Sequence, residues 1–139
     1  MAQKGIREYD AKRLIAGALA KRGYEGVPSP RLVLVTPETD LGGLPAEHPW
    51  LAETRLVCKP DQLFGKRGKN DLLFVDKTFD EVKAWIAVRM NQSVAIEGAS
   101  GKTTGVLTHF LIEPFVPHDA EYYLAYTAGH EADLSLIHI

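Results

Sequence analysis

The segment His109-Phe110-Leu111-Ile112-Glu113-Pro114-Phe115-Val116-Pro117 carries an apolar run straight into two prolines. It reads as a strand continued by extended chain, because each proline removes a backbone donor and keeps the preceding residue out of the helical region. In extended chain the C=O of one residue and the N–H two residues later face the same side. Pro114 C=O and Val116 N–H could therefore offer an acceptor beside a donor, which is what the N6 amino group and N1 of an adenine require. Proline at 114 loses nothing in that role, since only its carbonyl is used. An edge strand blunted by proline explains the same residues and is the more common situation.

Upstream, Gly98-Ala99-Ser100-Gly101-Lys102-Thr103-Thr104-Gly105 has the look of a phosphate-binding loop, but the P-loop pattern needs a glycine five positions before Gly101, where Ile96 stands. What remains is either a flexible glycine-rich connector or a loop that folds over bound phosphates. Val94-Ala95-Ile96 before it reads as a strand. A helix is expected to begin in Thr78–Ile86, with Thr78 as N-cap and Glu81 at the capping-box spacing. Further strands are expected at Leu72–Val75, at Arg55–Lys59 closed by Pro60, and at Arg31–Thr36 closed by Pro37. Glu38–Trp50 reads as a surface loop. Ile6–Arg22 has Ala11, Leu14, Ile15, Ala18 and Leu19 at helical spacing and Gly23 as a stop, so a packed amphipathic helix is expected. Tyr122–Tyr126 reads as a last strand. Together these elements make an α/β domain, a mixed sheet with flanking helices.

The second cluster of interest runs from Lys59 to Lys69, a basic stretch holding Gly65 and Gly68 just after a strand. Glycines let backbone N–H groups close on an anion, and lysine and arginine supply charge, a combination suited to polyphosphate. A solvated basic turn is the plainer reading on composition alone, and nucleic-acid contact lacks the interleaved aromatics and wider basic face it needs. Glu121 could accept hydrogen bonds from ribose hydroxyls, or simply be solvated. The five histidines show no metal-ligand spacing, and Cys58, the single cysteine, reads as a small buried hydrophobe. A net charge of -2 gives no general pull toward nucleic acid or anionic membrane. With one cysteine, no secretory signal and no stretch near the roughly 20 apolar residues of a membrane span, a cytoplasmic protein is expected.

Glu8-Tyr9-Asp10-Ala11-Lys12 together with Gly65-Lys66-Arg67-Gly68-Lys69 is similar to the opening of the ATP-grasp subunits of acyl-CoA synthetases of the succinyl-CoA synthetase type. Within that superfamily the chain resembles the ATP-citrate lyase family more closely, in Val35–Asp40 with His48-Pro49-Trp50-Leu51, in Val57–Leu63, and in Phe110–His118. The likeness runs from about residue 6 to about residue 130. It implies the N-terminal part of an ATP-grasp domain, belonging to an enzyme that converts citrate, coenzyme A and ATP to acetyl-CoA, oxaloacetate, ADP and phosphate through a phosphohistidine. It also implies roles for residues. Lys59 and Arg67 would contact phosphates, Gly68 would give the phosphate loop its close approach, Pro114 and Val116 would hold adenine, and Glu121 would bind ribose. The magnesium carboxylates, citrate pocket, coenzyme A site and phosphohistidine would lie beyond residue 139 or on a partner subunit, so residues 1–139 alone should be inactive. A subunit of succinyl-CoA or citryl-CoA synthetase, or a non-catalytic phosphate- or partner-binding domain, are the alternatives. Leu134–Ile139 is what a common transposon sequencing adapter spells in one frame, so the native portion is expected to be residues 1–133 and residues 134–139 a non-native tail.

Overall fold

The computed structural model describes residues 5–24, 26, 30–63, 71–98 and 101–123. Its organising element is the apolar run ahead of the two prolines, β6 (Phe110–Pro114), which lies inside a four-stranded sheet. On one side β6 pairs with β1 (Val33–Val35), Val33 opposite Ile112 and Val35 opposite Phe110. On the other it pairs with β2 (Leu56–Pro60), Leu56 opposite Pro114 and Pro60 opposite Phe110. Beyond β2 comes β3 (Phe74–Lys77), giving the order β1-β6-β2-β3. Pro60 is the last residue of β2 rather than a breaker beyond it, and Asp61 N–H continues the contact by donating to His109 C=O at 2.8 Å.

Side chains alternate across a strand, so this register divides the sheet into two unlike faces. Leu56, Cys58, Phe110, Ile112, Val33 and Val35 share one face and are buried. The helix α4 (Phe79–Arg89) covers it with Phe79, Val82, Trp85 and Ile86. Trp85 stacks on Phe74 at 5.2 Å and meets Phe110 edge-on at 5.7 Å, which joins the helix to β3 and β6. Val57, Lys59, Leu111 and Glu113 fall on the opposite face. The expected capping box of α4 is present: Thr78 N–H donates to Glu81 Oε2 at 2.8 Å, and Glu81 N–H donates to Thr78 Oγ1 at 3.4 Å.

Several expectations need correction. Glu38–Trp50 is not plain loop, because α2 (Leu44–Glu47) and α3 (Trp50–Glu53) form there, each burying one leucine, Leu44 and Leu51. β3 starts two residues later than Leu72. Asp76 sits at φ 56°, the β2–β3 register shifts between Leu56 and Cys58, and Arg55 Nε bonds Asp76 Oδ1 at 2.7 Å across the irregularity. Gly101–Gly105 is not a connector: β4 (Ser93–Gly98) and β5 (Gly101–Val106) form an antiparallel hairpin, paired from Ser93↔Val106 to Gly98↔Gly101. Gly101 takes φ 115°, which a side chain would resist, while Thr103 and Thr104 suit the strand. All described pairings are antiparallel; the parallel component of a mixed sheet is not among the described residues. The helix α1 (Glu8–Lys21) forms where expected but buries no residue, leaving Leu14 64% and Ile15 61% exposed. Tyr122 and Tyr123 are outside any strand, and Leu124–Tyr126 as well as the 134–139 tail lie outside the described residues. No helix among the described residues is long and apolar enough to cross a membrane.

Candidate nucleotide site

The sheet face opposite α4 is the floor of an open cavity of about 690 Å³. Val57 and Lys59 from β2, Leu73 and Val75 at β3, and Glu113 from β6 line it by strand alternation. Lys12 of α1, the stretch Pro30-Arg31-Leu32 ahead of β1, and Pro114, Phe115, Val116 and His118 complete the wall.

Charge is concentrated at one end. Lys59 Nζ lies 2.6 Å from Glu8 Oε1 and 2.9 Å from Glu113 Oε1, and Lys12 Nζ lies 2.6 Å from Glu113 Oε2 and 2.8 Å from Glu8 Oε1. Two ammonium groups and two carboxylates thus alternate in a closed square. Burial alone would raise the Glu8 carboxyl, but hydrogen bonds and charge from Lys12 and Lys59 outweigh it and hold the pKa at about 2. The Lys12 ammonium likewise resists the pull of burial, raised by Glu113 and Glu8. Asp61, a buried carboxylate at the end of β2, sets the position of this square. It accepts from Glu8 N–H at 2.9 Å and Tyr9 N–H at 3.2 Å, the first free donors of α1, where an anion is favoured.

At the other end, Phe115 N–H donates to Arg55 C=O at 2.7 Å, on the β2 side of the chain. Alternation sends Pro114 C=O and Val116 N–H to the opposite side. There β1 pairs with β6 only as far as Val33↔Ile112, and Pro30-Arg31-Leu32 instead lines the cavity. Pro114 and Val116 both line the cavity on that side. Beyond them His118 contacts Val116 C=O at 2.9 Å through Nδ1 and Glu121 Oε1 at 2.7 Å through Nε2.

Of the residues singled out in the sequence, Lys59, Pro114 and Val116 line one cavity. Glu121 reaches its rim through His118, and Arg67 and Gly68 lie outside the described residues. Sequence reasoning passed over Lys12, Glu113, Asp61 and His118 as site residues. A signal existed for Lys12, whose spacing from Glu8 is that of an i,i+4 ion pair. Cys58 is buried on the core face, with burial pushing its thiol up, so it is no nucleophile. Among the described residues, no group of three histidine, cysteine or acidic side chains is placed to hold a metal ion.

A family model described as the ATP-citrate synthase ATP-grasp domain matches residues 2–139. The chain belongs to the ATP-citrate synthase ATP-grasp domain family. Its relatives in that family include the ATP-citrate synthase alpha chain protein 2 of Arabidopsis thaliana, 42% identical over 89% of this chain and 28% of the relative. The ATP-citrate synthase of Homo sapiens is 47% identical over 75% of this chain and 9% of the relative. Among solved structures, ATP citrate lyase from Methanothrix soehngenii in complex with citrate and coenzyme A matches with a TM-score of 0.79 and 48% identity, over 93% of this chain and 30% of that one. The chain thus spans less than a third of the length of these family members.

Proposed function

We propose that this chain supplies the adenine- and phosphate-holding wall of the ATP site of an ATP-citrate lyase, which converts citrate, coenzyme A and ATP to acetyl-CoA, oxaloacetate, ADP and phosphate. The carrying observation is that Lys59, Pro114 and Val116, distant in sequence, line one cavity. Adenine would lie against Pro114 C=O and Val116 N–H, with Val57 and Val75 beneath it. Lys59 would meet the phosphates, joined by Arg67 and the backbone at Gly68, and Glu121 would take the ribose. The chemistry that citrate activation adds, namely magnesium, the phosphohistidine, and the citrate and coenzyme A pockets, would come from chain beyond this one or from a second subunit. Relatives named as ATP-citrate synthases support citrate over succinate as the acid. A free, buried cysteine is compatible with a cytoplasmic setting.

An amide NMR titration of the 139-residue chain tests this reading. With only one wall of the site, ATP should bind weakly, at roughly millimolar concentration, and shift both the Val116 amide and the surroundings of Lys59. Inorganic tripolyphosphate should shift only the latter, and GTP should leave Val116 largely unmoved. Identical responses to ATP and tripolyphosphate would overturn adenine recognition in favour of a phosphate-docking domain. Citrate-dependent ADP release is expected to be absent from this chain alone.

A further inference from the structure

His118 lies on the cavity wall two residues past Val116, just beyond the Pro114–Val116 backbone that forms the adenine hinge of the reading above. Its imidazole bridges two acceptors, Val116 C=O at 2.9 Å and Glu121 Oε1 at 2.7 Å. A carbonyl and an ionised carboxylate can only accept, so both ring nitrogens must carry hydrogen, and the bridge exists in full only for the imidazolium. Pro117 fixes the backbone between the two contacts. The carboxylate it holds is 84% exposed, and a glutamate so placed would otherwise spread over many rotamers.

We propose that His118, in its cationic form, is a positioning residue that fastens the Glu121 carboxylate to the hinge and so presents it to the ribose hydroxyls of a bound adenine nucleotide. The proposal rests on the nucleotide reading above. Val116 is the common member: its N–H faces the adenine and its C=O anchors the imidazolium, so base recognition and ribose recognition share one residue. The bonds to Val116 C=O and Glu121 raise the pKa of His118 above the ordinary 6.5. The sign follows. A raised value means the bridge is complete below 6.5 and is lost as pH climbs through the raised value, so ribose binding should weaken on the alkaline side. The other charged groups around the cavity are Lys12, Arg31, Lys59 and Glu113. Their field acts on phosphate whether or not His118 is charged, so an uncharged ligand separates the two effects.

Adenosine is that ligand, since it has no phosphate to titrate. Its affinity for the full 139-residue chain would be followed by amide NMR as pH rises from below 6.5, beside 2′,3′-dideoxyadenosine and tripolyphosphate. Adenosine binding should weaken roughly three- to tenfold across the His118 titration, the size of one charge-assisted hydrogen bond shared with solvent. The dideoxy compound should not follow it, nor should tripolyphosphate show the same step. H118A should bind adenosine with the weak, pH-flat affinity of the alkaline wild type, and E121Q should lower the titration of His118 in the free protein. Both side chains are exposed, so neither variant should alter the fold. Adenosine binding that is flat with pH and unchanged in H118A would overturn the positioning role while leaving the nucleotide site standing. Failure of the wild type to bind adenosine or ATP at millimolar concentration would overturn the nucleotide reading, and this inference with it.

Discussion

Lys59 Nζ and Glu8 Oε1 lie 2.6 Å apart, joining the end of β2 to the first turn of α1 across 51 residues of chain. The contact occupies the ammonium that the nucleotide reading assigns to phosphate. A phosphate arriving at Lys59 therefore meets a cation already shared between Glu8 and Glu113, and its gain is the difference between two ion pairs rather than the whole of one.

The substitution E8Q should act in opposite directions on binding and stability. Removing the competing charge leaves Lys59 freer for phosphate, so tripolyphosphate should bind roughly two- to fivefold more tightly. The same change leaves Lys12 and Lys59 sharing the one carboxylate of Glu113, which should cost about 1–2 kcal/mol of folding stability, discounted for the partly open rim. Urea unfolding and a tripolyphosphate titration of the same sample check both. Parallel losses in both measurements would show that Glu8 does not compete for the site.

Glu8 also sets an acid dependence. Its carboxyl is held at about 2 against an ordinary 4.5, so its contribution to stability is complete above 4.5 and declines as pH falls through that value toward 2. The urea midpoint of the wild type should therefore drop across this window, and E8Q should show a shallower decline. Equal slopes would mean that other carboxylates dominate the acid transition.

How much of this was legible in the sequence follows from how far apart the interacting residues are. Thr78 and Glu81 cap α4 through contacts three residues apart, so the motif alone located the start of that helix. Strand alternation likewise places neighbours such as Cys58 and Lys59 on opposite faces without reference to any partner strand. The docking of α1 was not readable, because its decisive contact, Asp61 to Glu8 N–H, spans 53 residues and uses backbone donors that any sequence provides. The apolar period through Leu14 and Ile15 announces a face but not what meets it, which is why a packed helix was expected where an exposed one stands. The β4–β5 hairpin was hidden for a different reason: glycine weakens strand propensity locally, while the pairing that forms the strand is a property of both segments together.

Loss of the α4 cap should be modest and local. T78A removes the acceptor for Glu81 N–H and the hydroxyl contact with Glu81 Oε2, while the backbone N–H of residue 78 keeps its bond to Glu81; it should cost about 1 kcal/mol, read as a shift in the urea midpoint with an unchanged slope. W85A should be far more damaging, about 3–5 kcal/mol, because Trp85 holds both Phe74 and Phe110. Comparable costs for the two would contradict the placement of Trp85 at the centre of the core.

Asp61 offers the sharpest separation between attachment and folding. α1 buries no side chain, so its position depends on polar contacts near its N-terminal end: the Asp61 carboxylate on the Glu8 and Tyr9 amides, and Lys12 and Glu8 on the floor of the cavity. In D61A those two amides lose their acceptor and the helix loses an anion at its positive end, together about 1–2 kcal/mol. Because the main core lies on the other face of the sheet, that loss should fall on α1 before it falls on the domain. Hydrogen exchange of α1 amides should accelerate while amides of α4 and β6 keep their protection, and tripolyphosphate binding should change as Lys59 is released from Glu8. Uniform loss of protection across α1, α4 and β6 would instead mean that the buried carboxylate supports the sheet itself, through the strand end that Asp61 N–H closes onto His109 C=O.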